Sequence, residues 1–274
     1  MKRIPILPTL VTLGNAFFGF VSIGYVLKAH ALWVQGDLTI SARYLSWAGW
    51  CILFAMVFDA LDGKVARLTH ATSDFGTQLD SLCDVISFGV APAVIIKTLA
   101  EQQLFLPRIG WATGILFMCC AALRLARFNV ETAPEEEHHR YFSGLPSPAA
   151  AGFIATLTIL VHELRGGEDP DLAGLGKVLE PYMDGLLYAM PFVAVILALL
   201  MISRVRYVHV VTTMLRASEP LDYLVKIILI ALLAVLTRPF SLPLIVAGYV
   251  LSGIVMWIKE QVFHHLPAHD RPGE

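Results

Sequence analysis

The chain has 274 residues, 57% of them hydrophobic and only 15% charged, with a formal net charge of −2. Soluble domains run nearer about 45–50% apolar and about 25% charged, so a water-soluble globular protein is excluded. No basic block or basic helix face stands out, so no nucleic-acid partner is expected.

The apolar residues fall in blocks long enough to cross a bilayer, which takes roughly 17–25 residues. They predict eight spans, at about 10–28, 43–66, 77–99, 109–128, 146–163, 184–202, 221–237 and 240–259. The expected fold class is therefore all-α: a polytopic transmembrane helix bundle in one integral membrane domain, 1–274. The opening MKRIPILPTLVTLGNAFFGF puts two cations before an apolar run, as a signal peptide would. No clear small-residue cleavage site follows, and the run reads as a retained first helix. Cys51, Cys83, Cys119 and Cys120 all fall in apolar segments without zinc-site spacing, and read as buried thiols.

Even parity places both termini on one side. With that side cytoplasmic, the inner ends carry 13 of the 20 Lys and Arg residues and the outer ends seven, the bias expected of cytoplasmic termini. The outer stretch HELRGGEDPDLAGLGKVLEPYMDG reads as a loop with a short interfacial helix.

Chemistry concentrates in FDALDGKVARLTHATSDFGTQLDSLCDVISFG, where the second and third spans meet. Asp59 and Asp62 are three apart, and Asp80 and Asp84 four apart, so each pair shares a helix face. A short connection makes the two helices antiparallel neighbours, and four carboxylates can converge. Each would cost about 2.5–3.5 kcal/mol at the centre of a bilayer helix, and their mutual repulsion adds to that. Lys64 and Arg67 are not spaced to neutralise all four. Any one acid reads equally well as a solvated helix end, but four on adjoining helices suit a pair of Mg²⁺ or Mn²⁺ ions, which favour hard oxygen ligands. Two such ions serve phosphoryl displacement, and a carboxylate left partly free can take a proton. Gly63 and Gly76 allow close backbone approach by a nucleotide phosphate, and Arg67 can grip a phosphate bidentately.

The run Asp59-x2-Asp62-Gly63-x2-Ala66-Arg67-x8-Gly76-x3-Asp80-x3-Asp84 resembles, without departure, the signature of the CDP-alcohol phosphotransferases. The resemblance implies a di-metal site at Asp59, Asp62, Asp80 and Asp84, with Asp84 as general base. It also implies that Gly63, Ala66 and Arg67 contact the CDP group. Thr12 and Asn15, three apart on the first helix, look like the family's nucleotide-holding segment. A dimeric core of six transmembrane helices is implied (about 5–202), its site open to the cytoplasm. The spans at 221–259 would be two additional C-terminal helices.

Two further stretches, AALRLARFNVE and YFSGLPSPAAAG, carry Arg124, Arg127, Asn129 and Ser147. The arginines read either as positive-inside anchors or as a fork for an anionic group. With LDSLCDVISFGVAPA, these stretches are similar to the branch of the family that transfers a phosphatidyl group from CDP-diacylglycerol to L-serine. Arg124, Arg127, Asn129 and Ser147 are then the candidates for the serine pocket, and the expected location is the cell (inner) membrane. Choline, glycerol 3-phosphate or an inositol phosphate stay open as acceptors. A cation transporter would also cluster acids, but at the midplane of an inverted repeat, which is not visible here.

Overall fold

The computed structural model describes residues 6–68, 74–104, 107–131, 141–166, 170–208 and 240–264. Helices α1 (Ile6–Val34), α2 (Leu38–Leu68), α3 (Asp74–Asp84), α4 (Ala91–Leu104), α5 (Pro107–Glu131), α6 (Ser147–Gly166), α7 (Pro170–Ile202) and α8 (Ser241–His264) make up nearly all of these residues. A π-helical turn, Val85–Val90, joins α3 to α4. Strands β1 (Tyr141–Ser143) and β2 (Arg206–Val208) pair antiparallel.

Six segments among the described residues are long and apolar enough to cross a membrane: Pro8–Val34, Leu38–Val65, Phe75–Gln102, Pro107–Val130, Ser147–Arg165 and Pro181–Ile202. They coincide with the first six predicted spans, and the third combines α3, the π turn and α4. The predicted span 221–237 lies outside the described residues. The predicted span at 240–259 is α8, whose apolar part, Ser241–Trp257, is shorter than the other six.

Close backbone approach and serine bonds join the packed side chains in holding the bundle, as expected of helices within lipid. Gly36 (φ 86°) turns the chain between α1 and α2, and Asp37 Oδ1 accepts from Ile40 N at 3.1 Å, capping α2. Ser22 Oγ then donates to the Ala48 carbonyl at 2.9 Å, and Ser41 Oγ to the Ala29 carbonyl at 2.7 Å, stapling α1 to α2. Gly110 and Gly114 seat α5 on α4: a Cβ on either would stand 2.8 Å from the carbonyl oxygen of Lys97 or Ala93. Ile52, Phe88, Ile95, Phe117 and Ile154 are fully buried between helices. Phe20, Leu27, Trp47 and Phe192 point outward, an apolar exterior suited to acyl chains rather than water.

The described residues between His162 and Gly185 are helical rather than the expected loop with a short interfacial helix. Helix α6 runs to Gly166, and α7 begins at Pro170 and continues unbroken through Pro181 and Pro191. Pro170 occupies a first turn, where no N–H is needed. Composition alone reads this Gly- and acid-rich stretch as a loop, but it extends the span that follows.

Candidate active site

Alternation of helix direction brings five elements to one end of the bundle: the start of α1, the end of α2, α3, the end of α5 and the start of α6. Asp59 and Asp62 lie one turn apart near the end of α2, and Asp80 lies on α3. One carboxylate oxygen from each of these three residues falls within 4.8 Å of the other two. Asp62 is buried, with 6% of its surface exposed, and Asp59 and Asp80 are half-buried. Asp62 Oδ2 and Asp80 Oδ1 are buried without a hydrogen-bond partner.

Three like charges at this spacing repel by about 3–4 kcal/mol per pair at an effective dielectric of about 20, on the order of 10 kcal/mol in all. That rivals the stability of a whole domain. The donor set is hard oxygen, two of its atoms are orphaned, and the group is compact. These features fit a divalent cation such as Mg²⁺ or Mn²⁺.

The fourth predicted carboxylate stands apart from this close group. Asp84, also buried, is one turn beyond Asp80, and Asn15 Nδ2 donates to its Oδ1 at 2.9 Å. Asp59, Asp80 and Asp62 all act on it electrostatically. Asn15 is fully buried and its own Oδ1 has no partner. Its backbone is gripped as well, since Ser87 Oγ in the π turn donates to the Asn15 carbonyl at 2.9 Å. Gly19, one turn further along α1, makes room for this contact: a Cβ there would stand 2.8 Å from Ser87 Cα. The widened turn after Asp84 therefore presses its backbone onto α1. π turns inside α-helices recur at functional sites.

Thr12 lies beside the Asp62 carboxylate while its hydroxyl donates to the Pro8 carbonyl at 3.0 Å. Gly63 faces open space, with nothing within 4 Å of where a Cβ would project, so this glycine answers no packing need. Gly76 falls in the first turn of α3. Ala66 and Arg67 belong to the last turn of α2, and their side chains lie outside the described residues, as does the connection at 69–73.

Of the residues predicted for the acceptor, Arg124 and Ser147 come together: Arg124 Nη1 donates to Ser147 Oγ at 3.0 Å. The guanidinium also stacks 5.5 Å from the Phe128 ring centroid and lies within electrostatic reach of Asp84 and Asp59. Asn129 instead donates to Ser81 Oγ at 2.8 Å, tying α5 to the helix that bears Asp80 and Asp84. Arg127 is on the same helix, one turn from Arg124. Ser81 and Ser87 were not predicted, since single serines in apolar helices carry no distinguishing pattern.

A cavity of about 520 Å³ opens near the opposite end of the bundle, lined by Trp33, Gln102, His162, Arg165 and Asp184 among others. Its charged pair is Arg165 with Asp184, and none of the predicted site residues lines it. The predicted site residues gather at the carboxylate cluster, not at this cavity.

The chain matches the CDP-alcohol phosphatidyltransferase family over residues 5–174, a stretch that includes every residue placed above at the aspartate end. It belongs to that family. Over 255 residues it is 32% identical to the CDP-diacylglycerol–serine O-phosphatidyltransferase of Helicobacter pylori (strain J99), covering 92% of this chain and 90% of that protein. The enzyme of the same name from Methanocaldococcus jannaschii is 32% identical over 209 residues, 76% of this chain and 83% of its own. The one from Saccharomyces cerevisiae is 38% identical over 158 residues, 56% and 53% of the two chains.

Proposed function

We propose that this enzyme transfers the phosphatidyl group of CDP-diacylglycerol to L-serine, giving phosphatidylserine and CMP. The observation that carries the phosphoryl-transfer reading is the convergence of Asp59, Asp62 and Asp80 with two orphaned carboxylate oxygens, beside the Asn15–Asp84 pair. The serine assignment is supported by the names of the relatives that match most of the chain and by the Arg124 guanidinium beside the acids.

Asp59, Asp62 and Asp80, with Asp84 at their edge, would hold one or two Mg²⁺ or Mn²⁺ ions. When bound, these supply neutralisation of the acids and polarisation of the phosphoryl oxygens. Asp84, oriented by Asn15, takes the proton of the serine hydroxyl. The hydroxyl oxygen attacks the β-phosphorus, the one bearing diacylglycerol. The bond from that phosphorus to the bridging oxygen breaks, and CMP departs with the oxygen and the bonding electrons. Thr12, Gly63, Ala66, Arg67 and Gly76 line the CDP side, where Gly63 leaves space for a phosphate to approach the backbone. Arg124, seated on Ser147, pairs with the carboxylate of serine, and Arg127 one turn along supports that side, while Asn129 braces α5 against α3 through Ser81. A carboxylate suits the planar guanidinium fork.

The 13-to-7 distribution of Lys and Arg supports cytoplasmic termini and a cytoplasmic site in the cell (inner) membrane. One domain with a core at 5–202 and a homodimeric assembly complete the reading. The test is CMP release by purified protein in detergent with CDP-diacylglycerol, Mn²⁺ or Mg²⁺, and each of serine, choline, glycerol 3-phosphate and an inositol phosphate. Serine-dependent release that disappears with chelator and in Asp84→Ala is expected. Release with another acceptor alone would overturn the serine assignment, and none with any acceptor, from folded protein, would overturn the enzyme reading.

A further inference from the structure

The cavity at the end of the bundle opposite the aspartates carries chemistry of its own. Its walls come from the ends of five membrane-crossing segments. Trp33 closes the first, Leu38, Ala42 and Leu45 open the second, and Gln102 ends the third. His162 and Arg165 end the fifth, and Asp184 opens the sixth. The cavity therefore lies where hydrocarbon gives way to head groups. Aromatic rings and lysines gather at the same end of the bundle, as they do at membrane boundaries. Tyr44 and Trp47 meet edge to face at 5.1 Å. Lys28 Nζ lies 4.4 Å from the Tyr44 ring centroid, and Lys97 Nζ lies 5.2 Å from that of Trp111.

The lining combines two chemistries. Trp33, Leu38, Ala42 and Leu45 are apolar, whereas Gln102, His162, Arg165 and Asp184 offer polar groups. Gln102 Nε2 is buried without a hydrogen-bond partner, although buried polar groups in native proteins are almost always paired. His162 Nδ1 bonds to the Thr158 carbonyl. A carbonyl only accepts, so the neutral ring carries its proton there and offers Nε2 as an acceptor. Arg165 Nη2 donates to Asp184 Oδ1, and the guanidinium keeps further N–H groups for a ligand. This ion pair has no net charge, so it suits a ligand bearing both signs better than an anion. We propose that the cavity binds the head of a zwitterionic glycerophospholipid from the leaflet opposite the catalytic site. Arg165 and Gln102 donate to the phosphate, and Asp184 and His162 accept from the ammonium. At about 520 Å³ the cavity is within the roughly 300–1,000 Å³ of small-molecule sites. It takes the head group and glycerol, while the acyl chains leave past the exposed Leu38 into the bilayer. This inference goes beyond the catalytic reading and does not depend on it.

The experiment follows the thermal midpoint of full-length protein in detergent as phosphatidylethanolamine, phosphatidylglycerol or soluble glycerophosphoethanolamine is added. Each rise in midpoint gives an apparent Kd. Wild type is compared with Gln102→Leu, which removes the amide at similar volume, and with Ala42→Phe, which fills the cavity and leaves its polar groups in place. Phosphatidylethanolamine should bind wild type on the order of tenfold more tightly than either other probe, the scale of one charge-assisted hydrogen bond. Its apparent Kd should rise about fivefold in Gln102→Leu, for one lost hydrogen bond, and by more in Ala42→Phe. Equal affinity for phosphatidylethanolamine and phosphatidylglycerol would mean general solvation by lipid and would overturn the proposal. A soluble head that binds as tightly as the whole lipid would overturn the assignment to a membrane lipid. Wild-type affinity in Ala42→Phe would place the lipid elsewhere on the protein. If Ala42→Phe does not fold, unchanged affinity in Gln102→Leu decides against the proposal by itself.

Discussion

Asn15 Nδ2 donates to Asp84 Oδ1 at 2.9 Å, joining the first helix to the last acid of the signature across 69 residues of chain. Both side chains are buried, and Asp84 is surrounded by three further acids. The amide is a neutral donor that fixes the rotamer of the carboxylate while leaving its second oxygen available. Asn15→Leu preserves the volume and removes the donor. It should lower kcat for CMP release on the order of 10–100-fold, less than the roughly 10²–10⁴-fold of a whole general base because Asp84 itself remains, with the KM for serine nearly unchanged. Wild-type turnover in this variant would show that the bond is structural only.

Repulsion among Asp59, Asp62 and Asp80 makes a prediction that does not depend on turnover. In chelator, Asp80→Asn relieves part of the repulsion and should raise the thermal midpoint of the protein in detergent above that of wild type. Saturating Mn²⁺ should stabilise wild type, by about 2.7 kcal/mol at a hundredfold excess over Kd, and do little for the variant. Equal stabilisation of both proteins by Mn²⁺ would mean that the ion binds elsewhere.

Two glycines near the site separate packing from ligand approach. Gly19→Ala forces a methyl to within 2.8 Å of Ser87 Cα and should cost roughly 1–3 kcal/mol as an overpacked contact, read as a lowered thermal midpoint. Gly63→Ala meets open space and should leave the midpoint unchanged or slightly higher, since alanine favours helix. Its effect should appear instead as a KM for CDP-diacylglycerol raised tenfold or more. An unaffected KM would remove Gly63 from the CDP side of the site.

Ser147→Ala removes the fully buried hydroxyl on which Arg124 rests. The KM for serine should rise about threefold, and Arg124→Gln should raise it at least tenfold, consistent with loss of a charge-assisted contact. Assays at saturating serine would then recover much of the rate in Ser147→Ala. A change confined to the KM for CDP-diacylglycerol would place Arg124 on the nucleotide side.

Membrane character, six of the spans and the identity of the acids were legible in the amino-acid sequence. Apolar blocks of span length and carboxylates at i,i+3 and i,i+4 spacing are local signals, set by helix geometry and by the cost of charge in hydrocarbon. Residues 170–185 were misread as loop because Gly, Asp and Pro are loop formers on average. Here Pro170 opens the helix, and the helix of the next span runs through Pro181 nonetheless, because packing outweighs the local preference.

Tertiary structure alone decided how the acids divide, with Asp59, Asp62 and Asp80 forming one compact group and Asp84 set beside it on Asn15. It also decided that Arg124 meets Ser147, that Asn129 turns away to Ser81, and that α8 packs on α6 and β2. Each of these depends on which helices are neighbours and at what depth, and so on contacts between residues tens to more than a hundred positions apart. Local periodicity specifies which face of a helix a residue occupies, but the partner for that face is chosen only when glycine and serine contacts bring the backbones together.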